Sequence, residues 1–395
     1  MISFEEAYKI VLQQAKPIGS ERVPMMDSLN RILAEDIFSD MDMPPFDKSA
    51  VDGFACRSED FGKEQEFVFL EMIETIPAGK VAEKQVDSGQ CSKIMTGAMI
   101  PSGADCVVMV EETSVGPEGK IRLPAGKKAR NICYRGEDIR KGDKVLPNGT
   151  LIRPQHIPLL ASVGAINPLV SERVRIGIFS TGDELVEPGS KPALSQIRNS
   201  NAWQILAQVT EAGCIPDYHG IAGDSKESLE LKLKTAMDRN HGVILTGGVS
   251  MGDFDFVPEV FTKCGIDILF KSIAIQPGRP TVFGQKENKF VFGLPGNPVS
   301  SFVLFELLVR PFLQKIMGYD QPSSYIRLPM ASDYLRKRST RKSLIPVKII
   351  NSEIVPLEYH GSAHINAFTK ADGIVALEIG ETRLNKGDLL YVRQI

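Results

Sequence analysis

Acids, amides and glycines recur in one kind of place along this chain, immediately after an apolar run. Thr181, Gly182, Asp183 and Glu184 follow one such run, and Gly223 and Asp224 follow another. The stretch GGVSMGDFD at 247–255 follows a third and supplies Gly247, Gly248, Ser250, Asp253 and Asp255. Gln276, Pro277, Gly278, Arg279 and Pro280 follow a fourth; Leu294, Pro295, Gly296, Asn297 and Pro298 follow a fifth. Glycine lets backbone N–H groups approach a phosphate or other oxyanion closely, and a helix starting there adds its positive end. Carboxylates on a common rim repel one another unless a cation or a proton intervenes. Acids, glycines and one arginine together suit a divalent metal plus a phosphate. Taken singly, TGD and Asp224 are what a turn or a helix cap requires, and the two Pro-Gly loops are what tight turns require. Three glycines and two acids in nine residues exceed that need.

These loops can serve one site only if the elements between them form an open parallel sheet, because ligands bind outside the carboxyl ends of its strands. From residue 173 onward apolar strands alternate with amphipathic helices, the βαβ pattern. Strands are predicted at 174–180, 215–221, 242–246 and 268–275. Helices are predicted at 202–212, capped by Asn201, at 225–238, with Asp224 and Glu227 at capping-box spacing, and at about 257–263. A hairpin, 281–285 with 290–292, precedes a long helix over 298–316. Upstream, Ser3 and Glu6 predict a helix over 3–15, and a second is expected at 28–36. Pro44 and Pro45 end that region, and short strands at 67–73, 91–95, 106–111 and 120–123 imply a small β-rich domain. Pro154 and Gly164 bracket another helix. After Pro322 short strands at 344–350, 354–358, 374–378 and 389–392 suggest a terminal β-barrel or sandwich.

Several function classes are excluded at this level. The 395 residues suffice for two to four compact units. Lys plus Arg is 46 against 49 for Asp plus Glu, so no overall field exists to capture nucleic acid or anionic lipid. Glu5 and Glu6 stand where a signal peptide needs basic and apolar residues, and Glu306 and Arg310 interrupt the most apolar helical run; a cytoplasmic protein off the membrane is expected. The six cysteines form no CxxC pair and read as reduced thiols. No GxxxxGK[ST], strand-following GxGxxG or HExxH is present, which argues against a P-loop ATPase, a dinucleotide dehydrogenase and a zinc protease.

Motifs spread over most of the chain carry a resemblance: PPFDKSAVDGFA at 44–55, IMTGAMIPSGADCVV at 94–108, RGEDI at 135–139, IFSTGDEL at 178–185, TGGVSMGDFD at 246–255, QPGRP at 276–280, GLPGNPVS at 293–300 and HGSAHI at 360–365. In order and spacing the chain resembles the molybdopterin molybdenumtransferase family, the MoeA and gephyrin E-domain group. The resemblance implies a multi-domain α/β plus β fold. Its central doubly wound, MogA-like domain would span 171–320, a β-rich domain 43–136, an elongated helical linker domain 1–42 with 137–170, and a C-terminal β-barrel 321–395. It implies ligation of molybdate into adenylylated molybdopterin with release of AMP, dependence on Mg²⁺, and a homodimer whose site is shared between subunits. A MogA-like adenylyltransferase and molybdoenzymes would be its partners. Carried over by position, Asp52, Thr96, Asp138, Glu184 and Asp255 would be catalytic, and Glu184, Asp224 and Asp255 would bind metal. Thr181, Gly182, Asp183, Asp224, Gly247, Gly248, Ser250, Gly278, Arg279, Gly296, Asn297 and Ser362 would bind substrate. Gln276 and Arg279 stand where some members have lysines, and Asn199, Ser200 and Asn201 where some have Asp-x-Asn. A gephyrin-like scaffold and a Mg-dependent nucleotide pyrophosphatase are the alternative readings.

Overall fold

The structure, a computed structural model, describes the chain apart from residues 63–64, 126–130, 250–255, 321–324, 337–338, 359–360 and 362–363. Two compact units emerge. The smaller comprises Asp36–Pro147 and Pro154–Ile166; the larger comprises Met1–Glu35, Asn148–Arg153 and Asn167–Ile395.

The smaller unit is built on a six-stranded sheet in the order Cys106–Met109, Gly53–Cys56, Gln90–Ile94, Phe67–Ile76, Ile121–Pro124, Ser114–Val115. Every pairing is antiparallel except that of Phe67–Ile76 with Gln90–Ile94. Side chains alternate across it: Val68 and Leu70 are buried while Phe69 and Glu71 are exposed, the period of two that a half-buried strand requires. A helix, Ile157–Ser162, follows the turn Pro154–His156 and stops before Gly164, whose φ of +71° suits a residue without a Cβ.

The larger unit holds the parallel sheet. Its order is Ile215–Ala222, Arg175–Thr181, Gly242–Thr246, Lys289–Leu294, Val282–Lys286, Asp267–Phe270. The first four strands run parallel, and the hairpin partner Val282–Lys286 runs against them. Burial on both faces explains the unbroken apolar runs. Ile176, Ile178 and Ile244 pack with Ile205, Val209 and Val303 from the helices Asn201–Glu211 and Pro298–Leu304. Phe179, Val243 and Leu245 pack on the other side with Leu229, Leu233 and Val260 from Lys226–Arg239 and Val257–Lys263. The neighbouring strands Arg175–Thr181 and Gly242–Thr246 are thus followed by helices on opposite faces of the sheet, Asn201–Glu211 and Val257–Lys263, which places the topological switch point between them.

A second sheet occupies the C-terminal part. Its order is Ile275–Gln276, Lys342–Ile350, Gly373–Leu377, Leu389–Gln394, Tyr325–Pro329, with Glu353–Pro356 also paired to Lys342–Ile350. A bridge between Met330 and Ile354 links the far edge back toward the near one. Among the described residues no helix is long and apolar enough to cross a membrane.

Three local expectations are corrected. Residues 28–36 are not a helix. After the 3₁₀ turn Met25–Ser28, Asn30 takes a φ of +61°, and the amides of Asn30, Leu33 and Ala34 donate to Ile152, Thr150 and Leu169. Long-range backbone pairing has overridden a local apolar period. The single strand expected at 268–275 is two: Asp267–Phe270 edges the parallel sheet, whereas Ile275–Gln276 pairs with Lys342–Ser343 in the other. The helix expected over 298–316 contains a π-turn, Phe305–Val309, between Pro298–Leu304 and Arg310–Ile316. Glu306 in that turn is buried, and its carboxylate accepts from Gln208 Nε2 at 2.7 Å and from Arg310 Nε and Nη2 at 2.7 and 2.9 Å. Those bonds supply the partners a buried charge requires.

Candidate active site

At the switch point three strand ends are stitched together by short polar contacts. Gly247 has a φ of +98°, and a Cβ there would lie 2.4 Å from the Thr181 carbonyl oxygen, so the two loops approach only because residue 247 is glycine. The Gly247 amide donates to the Leu294 carbonyl at 3.1 Å, and Thr246 Oγ1 donates to the Pro295 carbonyl at 3.0 Å. Asn201 Nδ2, at the start of its helix, donates to the Gly296 carbonyl at 2.7 Å and to Thr246 Oγ1 at 3.3 Å. The result is a cleft of about 710 Å³ lined by Thr181, Gly182, Glu184, Asn199, Asn201, Asp224, Gly247, Gly248, Gly296 and Asn297, among others. Two helices, Asn201–Glu211 and the one beginning at Pro298, start on this cleft, and their free N–H groups favour an anion there.

The acids are held in different ways. Asp224 is not the cap of the helix Lys226–Arg239. Ser225 is, its hydroxyl accepting from the Ser228 amide at 3.1 Å. Asp224 is instead turned toward the first strand, where its two carboxylate oxygens accept from Thr181 Oγ1 and the Asp183 amide, each at 3.1 Å. The Asp224 amide in turn donates to Asp183 Oδ1 at 3.1 Å. This reciprocal pair fixes both loops. Glu184 is exposed, and its carboxylate lies against Gly182, so close that a Cβ on Gly182 would meet Glu184 Oε2 at 2.4 Å.

Behind the rim a chain of side chains, buried at Ser180 and Asn199 and half-buried at Tyr218 and Glu187, fixes the Glu184 segment. Ser180 Oγ donates to Asn199 Oδ1 at 2.8 Å, Asn199 Nδ2 donates to the Tyr218 hydroxyl at 3.0 Å, and that hydroxyl donates to Glu187 Oε1 at 2.7 Å. Burial, and then the hydrogen bond to Glu187, push the Tyr218 phenol up from its ordinary value. Asn201, expected as a cap, is the first helical residue and a crosslink to Gly296; Ser200 occupies the cap position without a side-chain cap bond, and Asn199 Oδ1, one residue earlier, accepts from the Ala202 amide at 3.4 Å.

The cleft therefore unites Thr181, Gly182, Glu184, Asp224, Gly247, Gly248, Gly296 and Asn297. Asp183 takes part through Asp224. From the fourth loop only Pro280 lines the cleft: Gly278 is buried against Leu304, Arg279 is exposed beside Pro280, and Gln276 Oε1 accepts from Arg341 Nη2 at 3.4 Å. Ser250, Asp255 and Ser362 lie outside the described residues. Ser180 and Thr246, both buried in the cleft floor, escaped sequence reading, since a lone hydroxyl near the end of an apolar strand has no pattern to mark it.

Asp52, Thr96 and Asp138 belong to the smaller unit, where the three motif segments around them converge. Ser49 and Gly97 exchange backbone bonds with the neighbouring strand ends, Ser49 N to Ala98 O at 2.9 Å and Gly97 N to Ser49 O at 2.8 Å. The Asp138 and Ile139 amides donate to the Met43 carbonyl at 3.1 and 3.2 Å. Asp52 Oδ1 accepts from the Thr96 amide at 2.6 Å and from Thr96 Oγ1 at 2.8 Å. These bonds hold the Asp52 carboxyl below its usual range, although it is solvent-exposed. Asp138 is exposed, its side chain turned to solvent.

Among the described residues no group of three or more acids, histidines or cysteines could hold a metal ion. Glu184 and Asp224 do line one cleft, and Mg²⁺ ordinarily takes one or two carboxylates together with substrate phosphates, so this donor set fits that ion. Chemically the cleft offers glycine-exposed amides, helix starts and two carboxylates, a set able to hold a phosphorylated ligand and to steady charge during transfer.

Three family descriptions match successive parts of the chain: the MoeA N-terminal region (domain I and II) over residues 2–164, a probable molybdopterin binding domain over 177–315, and the MoeA C-terminal region (domain IV) over 330–394. Proteins named molybdopterin molybdenumtransferase are similar to it. That of Bacillus subtilis is 40% identical over 82% of this chain and 76% of its own length. One from Staphylococcus epidermidis is 34% identical over 99% and 95%, and one from Haemophilus influenzae 34% over 99% and 98%. Among solved structures, a molybdopterin biosynthesis moeA protein from Pyrococcus horikoshii OT3 aligns over the full length of both chains with 29% identity and a TM-score of 0.87.

Proposed function

The chain belongs to the MoeA family of molybdopterin molybdenumtransferases, a family of transferase enzymes, and from that premise we propose that it inserts molybdenum during molybdenum cofactor synthesis. The finer reading is that molybdate is transferred into adenylylated molybdopterin with release of AMP, in a Mg²⁺-dependent step carried out by a cytoplasmic homodimer. The observation that carries it is the glycine-built cleft with Glu184 and Asp224 on its rim.

Each group there has a task under this reading. Gly248 and Gly296 bring backbone amides within reach of phosphate oxygens, whereas the Gly182 and Gly247 amides donate to the Ala222 and Leu294 carbonyls and hold the loops in place; the helix starts at Asn201 and Pro298 add their partial positive charge. Glu184 and Asp224 would hold Mg²⁺, which when bound neutralises phosphate charge and polarises the phosphoanhydride. Thr181 and Asp183 orient the Asp224 carboxylate, leaving one lone pair on each oxygen for a further partner. Arg279, exposed beside the cleft-lining Pro280, would take an anionic group of the pterin from outside the cleft lining. The dithiolene sulfurs that receive molybdenum belong to the substrate, so no protein thiol acts as nucleophile.

The test is to incubate the purified protein with adenylylated molybdopterin and Mg²⁺, with and without molybdate, and to measure AMP and active cofactor. AMP and cofactor that both depend on molybdate support the transferase. AMP released equally without molybdate makes the protein a nucleotide pyrophosphatase, and no AMP under any condition leaves the scaffold reading.

A further inference from the structure

The smaller unit carries a row of thiols that the reaction does not use. Cys56 lies directly opposite Cys91 on one neighbouring strand and directly opposite Cys106 on the other. Directly paired residues of antiparallel strands point to the same face, so the three side chains stand side by side across the sheet. All three are buried in one apolar cluster with Phe54, Val68, Leu70, Val108 and Leu123. The contact is closest on one side: Cys56 Sγ and Cys106 Sγ are 3.5 Å apart, and Cys106 Sγ also lies 3.3 Å from the Cys56 carbonyl.

We propose that Cys56 and Cys106 are a modification site, a thiol pair that closes to a cross-strand disulfide on two-electron oxidation. Opposed residues of an antiparallel pair have Cα atoms about 4.5–5.5 Å apart, inside the span a disulfide accepts. The sulfurs need approach by only about 1.5 Å to reach bonding distance near 2.05 Å, a movement that side-chain rotation supplies. Cys91 is the near alternative and is disfavoured, because the sulfur contact runs to Cys106. In the step the two S–H bonds break and one S–S bond forms. Two protons and two electrons leave to an acceptor, here an azo compound reduced to its hydrazine. Attack requires a thiolate. The hydrogen bond with Cys106, and then burial, push the Cys56 thiol up; burial alone pushes Cys91 up to about 12. The pair is therefore guarded against casual oxidation and responds to a strong or sustained oxidant.

The position gives the bridge a local consequence. Cys106–Met109 is the edge strand of its sheet, and its continuation reaches Asp52, whose carbonyl accepts from the Val110 amide at 2.9 Å. A bridge at the Cys56 end would pin that edge strand to Gly53–Cys56, the strand that Asp52 immediately precedes.

The experiment treats the intact protein with excess diamide, unfolds it, alkylates remaining thiols with iodoacetamide and maps peptides by mass spectrometry. A peptide carrying Cys56 linked to one carrying Cys106, lost on treatment with dithiothreitol and retained in Cys91→Ser, is the expected result. Cys106→Ser should lose it. Complete alkylation of Cys56 in the oxidised wild-type protein, or linkage of Cys56 to any other cysteine there, overturns the proposal. Circular dichroism of each variant establishes that it is folded, and the wild-type map decides the matter without them.

Discussion

Replacing Gly247 by alanine puts the switch point to a quantitative test. The added Cβ would stand 2.4 Å from the Thr181 carbonyl oxygen, about 1 Å short of ordinary van der Waals contact, on a backbone with φ +98°. Forcing an L side chain into that region costs about 1–2 kcal/mol. Relieving the overlap adds the cost of overpacking, about 1–3 kcal/mol, because a carbonyl at a buried strand end cannot move far without losing the strand pairing. A loss of about 2–5 kcal/mol follows. At about 2–4 °C per kcal/mol for a unit of a couple of hundred residues, the thermal transition of the larger unit should fall by roughly 4–20 °C. If the loops instead separate by about 1 Å, transfer activity assayed below the transition should fall on the order of 100-fold. Two neighbours calibrate the result. At Gly248 a Cβ would meet the Thr181 methyl at 3.0 Å with φ +63°, which predicts a milder loss. At Gly296 the nearest atom would be 3.7 Å away, so stability should hardly change. Scanning calorimetry and AMP release on the three variants form the assay. A Gly247→Ala protein with wild-type melting and turnover, or a Gly296→Ala protein damaged as much in stability, would refute the geometry of the switch point.

Three further outcomes are expected. Glu184→Gln keeps the shape of an exposed side chain but removes its charge, so turnover should drop by two orders of magnitude or more with melting unchanged; normal turnover, or an unaltered Mg²⁺ requirement, would remove Glu184 from the site. Arg279→Ala should weaken binding of the anionic pterin about tenfold or more while barely affecting folding, since an exposed charge contributes little to stability but a charge-assisted contact is strong, as a binding titration would reveal. Thr96→Val deletes the hydroxyl donor to Asp52, so the Asp52 carboxyl should titrate closer to its ordinary value near 3.9 in a carbon-13 NMR titration. Because the folded value is lowered, the stabilising contribution of these bonds is present above the ordinary carboxylate pKa and is lost as pH falls through the folded one; in Thr96→Val the contribution should be smaller and its loss complete at a higher pH.

Local signals were legible where local physics decides. The helix Phe4–Gln13 begins where Ser3 and Glu6 predict, with the Ser3 hydroxyl accepting from the Glu6 amide at 3.1 Å. The strand at Gly242–Thr246 is bounded as its apolar run predicts. Illegible features were those decided by distant partners. Asp224 and Ser225 are both good caps in sequence, and only the tertiary contact with Thr181 and Asp183 determines that serine caps the helix. Residues 28–36 carry a helical period but find extended partners more than 100 residues away. Asn201 looked like a terminus marker and is a strut between two loops. In the cleft, the glycines and acids were readable from composition, whereas the hydroxyls and amides beneath them were not, because such residues are chosen by geometry rather than by pattern.

The strand Ile275–Gln276 leads directly into the QPGRP loop, yet its ladder partner is Lys342–Ser343, more than 60 residues later in the chain. The tail of the protein is in this sense a buttress. A version truncated near residue 320 would keep every strand of the parallel sheet, but it would strip the backing from the loop that bears Arg279 and expose an unsatisfied strand edge beside it, an invitation to self-association. Grafting the C-terminal sheet of one relative onto another would likewise be expected to alter how that loop is held, even with the whole cleft sequence unchanged.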